Sequence, residues 1–198
     1  MLDHEESGRR ARRALLWVAL GLTLSGSCGI SSGLSPFVNE GQAEITPESE
    51  EEAQLSRLSE AMLDPRARAI AAANLVVSAL LLIASSMLLL RRSSAIWWVT
   101  QAVAANCVWI ALSASSMLAH LRDAEPEIVS IFMAMMETSE GDAEPAAIQA
   151  GAEILFSITL LVVVIGGLVR ILVHLLLLYR ARRPDLRALL GASVDRSA

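Results

Sequence analysis

The chain contains no lysine, and all 16 of its basic residues are arginine. We attribute this to a genomic bias towards GC-rich codons rather than to chemistry. The formal net charge is −5, and the acidic residues gather in two loops while the arginines stand at the edges of apolar runs. No continuous basic surface can be drawn from that distribution, so we do not expect nucleic acid as a partner.

Cysteine and histidine are also sparse. The two cysteines, Cys28 and Cys107, both lie inside apolar runs, so neither a disulfide framework nor a Cys/His metal cluster can be built from them. His120 and His174 lie near opposite membrane boundaries, roughly 25–30 Å apart in depth by helical rise, and cannot ligate one haem in a monomer. We therefore expect no metal and no cofactor.

Enzyme signatures are missing as well. The sequence has no nucleophile elbow, no HExxH zinc motif and no phosphate-cradling glycine loop. The acidic runs lack the ligand spacing and the turn glycine of a calcium loop. No aspartate lies inside an apolar run, which leaves intramembrane proteolysis through paired aspartates unsupported. These absences predict a non-catalytic protein.

Long apolar runs are what the sequence does contain. Hydrophobic residues make up 54% of the chain, slightly more than the roughly 45–50% of a soluble domain, but they are concentrated in four blocks. About 20 mostly apolar helical residues cross a bilayer core. The predicted spans are 14–36, 69–90, 95–119 and 154–179. We predict a single membrane domain over 1–198, an all-α bundle of four transmembrane helices.

The placement of arginine orients this bundle. Arginines cluster before the first block, in the short turn after the second and behind the fourth, whereas the segments 37–65 and 120–153 are acidic. Excess arginine marks the cytoplasmic side. Both termini, including the tail 180–198, are therefore predicted to be cytoplasmic in a bacterial inner membrane, although Arg66 and Arg68 lie on the opposite side.

Each outer segment carries a short amphipathic pattern. Residues 47–63 predict a short helix that starts after Pro47 and has acids in its first turn, where the helix dipole favours them. Residues 126–137 place isoleucine, phenylalanine and methionine at helical spacing. The second pattern is too short to span a membrane. It predicts a helix that packs on the bundle, with a surface-bound helix and a ligand-binding helix as alternatives.

The first block admits two interpretations. A basic region, a short apolar run and small residues around Cys28 are typical of a cleaved secretory or lipoprotein signal, in which Cys28 is the lipidated residue. Ser25, however, stands where a lipoprotein box has a branched apolar residue. We favour a retained helix ended by Pro36, because small residues repeated every four positions share one helix face and permit close packing. This packing stripe comprises Gly21, Ser25, Gly29 and Gly33.

Polar residues within the blocks indicate an interior site. Arg170 is the only charged residue inside a block, about 15 Å from Arg180 by helical rise. Charged residues at such depth usually face the bundle interior and mark function. Blocks two, three and four each carry a polar face at similar depth, and we expect these faces to meet. The predicted intramembrane cluster comprises Arg170, His174, Asn106, Gln101 and Ser85.

No carboxylate lies at the depth of Arg170, which leaves three interpretations of that residue open. Its side chain reaches the inner headgroups, connects the polar faces, or binds an anion and lines a pathway. We expect a lipid-embedded accessory or structural subunit of a homo-oligomer or a larger membrane complex, associated through helix packing. A small transporter or channel component with a site around Arg170, and a membrane sensor, are the alternatives.

Overall fold

The computed structural model describes residues 2–38, 66–139 and 145–191. These residues form six helices and no strand, which confirms the all-α class for this part of the chain. The helices are α1 (Leu2–Val38), α2 (Ala67–Leu89), α3 (Ala95–Asp123), α4 (Glu125–Ser139), α5 (Pro145–Ala181) and α6 (Pro184–Gly191). The helix predicted at 47–63 lies outside the described residues.

Four of these helices are long and apolar enough to cross a membrane. The qualifying stretches are Gly8–Leu34 in α1, Arg68–Leu89 in α2, Ala95–Asp123 in α3 and Gln149–Ala181 in α5. They overlap the four predicted spans. Several helix boundaries differ from the predicted ones, among them those of α1 and α5. α1 continues two residues beyond Pro36, and α5 begins at Pro145 rather than at 154, because proline suits the first position of a helix and polar residues extend α5 beyond its apolar part.

The most extensive contact joins α1 and α2, which run antiparallel. Three buried glycines of α1, Gly26, Gly29 and Gly33, face α2. A Cβ atom at Gly26 would lie 3.0 Å from the carbonyl oxygen of Ser78, and one at Gly33 would lie 3.1 Å from that of Ala71. The absence of side chains at these positions therefore lets the two backbones approach closely.

Polar side chains bond across the same contact. The amide of Asn74 donates to the carbonyl oxygen of Gly29 at 2.8 Å, and the hydroxyl of Ser85 donates to that of Ala19 at 2.9 Å. The hydroxyls of Thr23 and Ser85 lie 2.8 Å apart in a further hydrogen bond. Burying a polar side chain is costly unless it forms hydrogen bonds. Asn74 and Ser85 can therefore be placed in this contact because α1 provides hydrogen-bond partners for them.

The larger hydrophobic core lies towards one end of the bundle, here called the inner end, which holds the α2–α3 turn and α6. Leu22 of α1, Leu88 of α2 and Val99 of α3 are fully buried there. α6, which follows the spans within the predicted tail, buries Leu186 and Leu190 against this core. Leucines at helical spacing behind Pro184 thus fold the chain back under α1.

At the opposite, outer end, α4 packs on α5 and touches α3. Pro126 cannot continue α3, because a proline ring clashes with the carbonyl group four residues earlier, and the chain turns back at Ala124. Ile128 is buried against Leu121 of α3 and Phe156 of α5. The helix predicted at 126–137 is therefore confirmed, and its apolar face packs on the bundle.

The α2–α3 turn contains the only non-glycine residue with a positive φ in the described ranges, Arg91 at 51°. The N–H of Arg92 donates to Met87 at 3.1 Å and that of Arg91 donates to Leu88 at 3.0 Å, the pattern of a Schellman motif. Glycine is usual at this place, because a side chain in the left-handed region costs about 1–2 kcal/mol. The chain instead keeps a positive charge at its inner end.

Substituting Gly26 by leucine tests the α1–α2 contact. We expect Gly26→Leu to lower the free energy of unfolding by about 1–3 kcal/mol, the usual cost of overpacking. Gly8→Leu is the matched control, because a Cβ at Gly8 meets nothing within 4 Å. Denaturant unfolding of the purified chain in detergent measures both. Equal stability of the two variants would contradict the close contact.

Candidate functional site

The predicted packing stripe is divided between two neighbouring helices. Gly29 and Gly33 pack on α2, whereas a Cβ at Gly21 would lie 2.8 Å from the side chain of Leu177 in α5. Ser25 is half-buried. Gly21, Gly29 and Gly33 thus pack against other helices of the same chain.

Two residues of the α1–α2 contact escaped the sequence analysis. Gly26 and Thr23 do not belong to the four-residue repeat, yet Gly26 faces Leu82 and Ser78, and Thr23 bonds Ser85. The sequence does contain a pattern that would have indicated Gly26: the glycines at 26, 29 and 33 are spaced by three and then four residues. Positions three and four apart both stay on one helix face, so Gly26, Gly29 and Gly33 form a stripe as regular as the predicted one.

The structure does not assemble the predicted intramembrane cluster. Ser85 bonds α1, because the glycine contact draws the polar face of α2 towards α1 rather than towards α3 and α5. Gln101 and Arg170 are exposed. Asn106 and His174 are buried, with 6% and 4% of their surfaces exposed. The expectation that three polar faces meet is therefore wrong for α2.

The two buried members, Asn106 and His174, lie at the same level on facing helices. Gly167 of α5 is opposite Ile110 and Ala114 of α3, since a Cβ there would lie 3.9 and 3.7 Å from their side chains. The two helices run antiparallel. Seven residues from Gly167 towards the inner end, His174 therefore lies opposite the region of Asn106.

The ring of His174 makes a local bond. Its Nδ1 atom lies 2.7 Å from the carbonyl oxygen of Arg170, and because a carbonyl only accepts, Nδ1 carries the proton. Nε2 is buried and has no hydrogen-bond partner among the described residues. A buried polar atom without a partner costs about 1–3 kcal/mol.

α5 is the least buried of the four long helices. Only 6% of its most apolar stretch is buried, against 33% in α1 and in α2. Its contacts are with α3, with α4 and with part of α1. The large apolar side chains on the rest of its perimeter are exposed: Ile154, Ile158, Leu161, Val162, Ile165, Leu168, Val169, Leu172, Val173, Leu175 and Leu176.

An opening lies between the outer halves of α1 and α5. The two helices run antiparallel and touch where Gly21 meets Leu177. Seven residues further out on the same faces lie Cys28 of α1 and Arg170 of α5, and both are exposed. A Cβ at Gly166 would meet nothing within 4 Å. The helices thus touch in their inner halves, and from these exposures we infer a gap between them beyond.

We call this gap the lateral cleft and define it by Cys28, Ser31, Gly166 and Arg170. The cleft residues of α1 are small, and the hydroxyl of Ser31 bonds its own helix at Ser27. The guanidinium of Arg170 has no hydrogen bond or ion pair within the described residues. A guanidinium presents donors in a fork that matches a carboxylate, so the cleft is suited to a helix that carries an acceptor.

Metal binding has no support in the described part of the chain. Residues 2–38, 66–139 and 145–191 contain no group of three His, Cys, Asp or Glu side chains that could hold an ion.

Disulfide trapping tests whether the cleft is open. Gly21→Cys with Leu177→Cys, in a chain with Cys28→Ser and Cys107→Ser, should cross-link within one molecule under mild oxidant. The level-matched outer pair, native Cys28 with Arg170→Cys in Cys107→Ser, should not, because Cα atoms more than about 7 Å apart cannot be bridged. Non-reducing electrophoresis and intact mass distinguish the products. Equal cross-linking of both pairs would mean that the cleft is closed.

Comparison with known proteins gives no further guide to this site: no family model, no curated protein and no solved structure matches the chain.

Proposed function

We propose that this chain is an integral protein of a bacterial inner membrane that crosses the bilayer four times, with both termini in the cytoplasm. Three groups of arginines support the orientation, because they lie at the same, inner end of the bundle: before the apolar part of α1, in the α2–α3 turn and behind α5. The exposed apolar perimeter of α5 supports insertion, since water would be a poor solvent for it.

Within the membrane we propose a non-catalytic accessory subunit that receives a helix of a partner protein in the lateral cleft. The observation that carries this proposal is the exposed side chain of Arg170, which makes no hydrogen bond or ion pair with any of the described residues. An arginine in the middle of a membrane span costs about 2.5–3.5 kcal/mol on insertion scales. A carboxylate on a neighbouring helix would offset that cost.

The chemistry of the chain favours a different protein over a second copy. None of the four apolar spans of this chain contains an aspartate or a glutamate, so a second copy has no carboxylate to place beside Arg170. The partner therefore supplies it. Cys28, Ser31 and Gly166 leave room for a backbone to approach, as small residues do in membrane helix pairs. The competing explanation for an arginine at this depth is that its long side chain extends to the lipid headgroups of the inner leaflet.

A small transporter or channel component is the second candidate. Buried Asn106 and His174, which lie opposite one another, support a polar interior. Arg170, around which we expect such a pathway, is exposed in the lateral cleft and not buried with Asn106 and His174, so we rank the transporter second. Solute flux in vesicles that contain only this chain would support it.

Cysteine labelling tests the orientation. In a chain with Cys28→Ser and Cys107→Ser, Ser93→Cys marks the α2–α3 turn and Ser130→Cys marks α4, and both positions are exposed. A membrane-impermeant maleimide should label position 130 in intact spheroplasts and position 93 only after permeabilisation. Labelling of position 93 from outside would overturn the orientation.

Photocross-linking tests the partner. A benzophenone amino acid in place of Val162, which is exposed one turn further out on the helix face of Gly166, should form an adduct with one membrane protein in native membranes, and the same residue at Leu168, exposed on another face, should not. Arg170→Leu should abolish the adduct, whereas Arg170→Lys keeps the charge and should preserve it.

The cross-linked peptide identifies the partner chemistry. Mass spectrometry should show that this peptide belongs to an apolar helix of the partner protein. That helix should contain an aspartate or a glutamate within two turns of the cross-linked residue. Adducts only with lipid, only with a second copy, or unchanged in Arg170→Leu would contradict the proposal.

A further inference from the structure

A basic cavity lies at the inner end, between α1, the end of α5 and the beginning of α6. Its volume is about 390 Å³. The charged residues that line it are Arg10, Arg13, Arg180, Arg183 and Asp185. Four guanidinium groups and one carboxylate thus surround one small space.

The fold brings these arginines together from three elements. Arg10 and Arg13 are three residues apart and share a face of α1. Arg180 and Arg183 flank the break between α5 and α6, and the buried Leu186 fixes α6 beside them. Asp185 lies in the first turn of α6, where the helix dipole favours a carboxylate. Like charges at short range repel, so a bound anion would stabilise this arrangement.

An apolar groove begins where the cavity ends. It has a volume of about 470 Å³ and runs between α1 and α5 towards the outer end. Leu20 and Leu24 of α1 and Leu176 of α5 line it, and it shares Trp17 and Arg180 with the cavity. From Trp17 to Leu24 the helical rise is about 10 Å, so the groove extends well beyond the charged groups.

We propose that the cavity and the groove together bind one anionic phospholipid, with its phosphate among the arginines and an acyl chain in the groove. This inference rests on the proposed membrane insertion. Arginine binds phosphate through paired hydrogen bonds, and basic pockets between membrane helices on the cytoplasmic side hold such headgroups. Trp17, 68% exposed at the junction of cavity and groove, is the residue type that lies at headgroup level.

The groove distinguishes a lipid from other anions. Free phosphate or an acidic peptide would engage only the cavity, and neither would use the apolar walls formed by Leu24 and Leu176. A phospholipid matches both halves of the site in the order in which they occur along the bundle axis. The inner position of the charges also agrees with the leaflet that the proposed orientation assigns to them.

Lipid titration of the full chain in a neutral detergent tests the site. The probes are dioleoylphosphatidylglycerol and dioleoylphosphatidylcholine, and native mass spectrometry counts the bound molecules. We expect the anionic lipid to bind at least about tenfold more tightly, and Arg10→Gln with Arg13→Gln to remove about tenfold or more of that affinity, as expected for hydrogen bonds to charged groups.

Arg9→Gln with Arg12→Gln is the matched control. It removes the same charge from the same helix, one position earlier, at exposed residues that do not line the cavity. The affinity of this control variant for the anionic lipid should differ from that of the unmodified chain by less than about twofold. Arg183→Gln, outside the long helices, provides a second variant and should weaken binding in the same direction. Unfolding temperatures without lipid show that all variants are folded.

Three results would overturn the lipid site. Equal affinity for the two lipids would remove its charge selectivity, and equal losses in the two double variants would indicate diffuse surface attraction. Displacement of the lipid by excess inorganic phosphate would indicate a free-anion site. These measurements in detergent do not depend on orientation or on a partner. If the lipid titration gives one of these three results while position 93 is labelled only after permeabilisation, only the lipid site is contradicted.

Discussion

Because Gly26, Gly29 and Gly33 carry no side chains, α1 lies against α2 closely enough for the amide of Asn74 to bond a backbone carbonyl. That contact occupies the small face of α1 and the polar face of α2, and its bonded groups would be costly to separate in an apolar medium. α5 is left with α3 on one side and the inner half of α1 on the other. The lateral cleft follows from this arrangement.

The sequence predicts the helices well and their partners poorly. Apolar length located all four long helices, and isoleucine, phenylalanine and methionine at helical spacing located α4. Counting residues along a helix, however, gives only the depth of a side chain in the membrane. It does not tell which neighbouring helix that side chain faces. Ser85 has a suitable depth for the predicted cluster, yet it bonds α1. Arg170 and His174 are four residues apart, which rotates them by about 40°. That angle is enough to expose one and bury the other at the edge of a helix contact.

The two proposed sites lie along the same pair of helices and complement one another. At the inner end, four arginines and an apolar groove suit a phospholipid. In the outer half, a single arginine among small residues suits a polar helix. A lipid in the groove and a helix in the cleft would together cover the side of α5 that faces α1. Most of that side is exposed in the structure of the chain alone. In the proposed assembly, the lipid and the partner helix would account for the low burial of α5.

The separation of α1 and α5 along their length tests this account most directly. Spin labels at Leu20→Cys and Leu176→Cys report the inner half, and labels at Ser31→Cys and Gly166→Cys report the level of the cleft, in Cys28→Ser, Cys107→Ser chains. Pulsed electron paramagnetic resonance in lipid nanodiscs measures both distances. The account predicts a larger distance for the outer pair than for the inner pair. Equal distances, or a shorter outer one, would show that α5 closes against α1 and that no cleft exists.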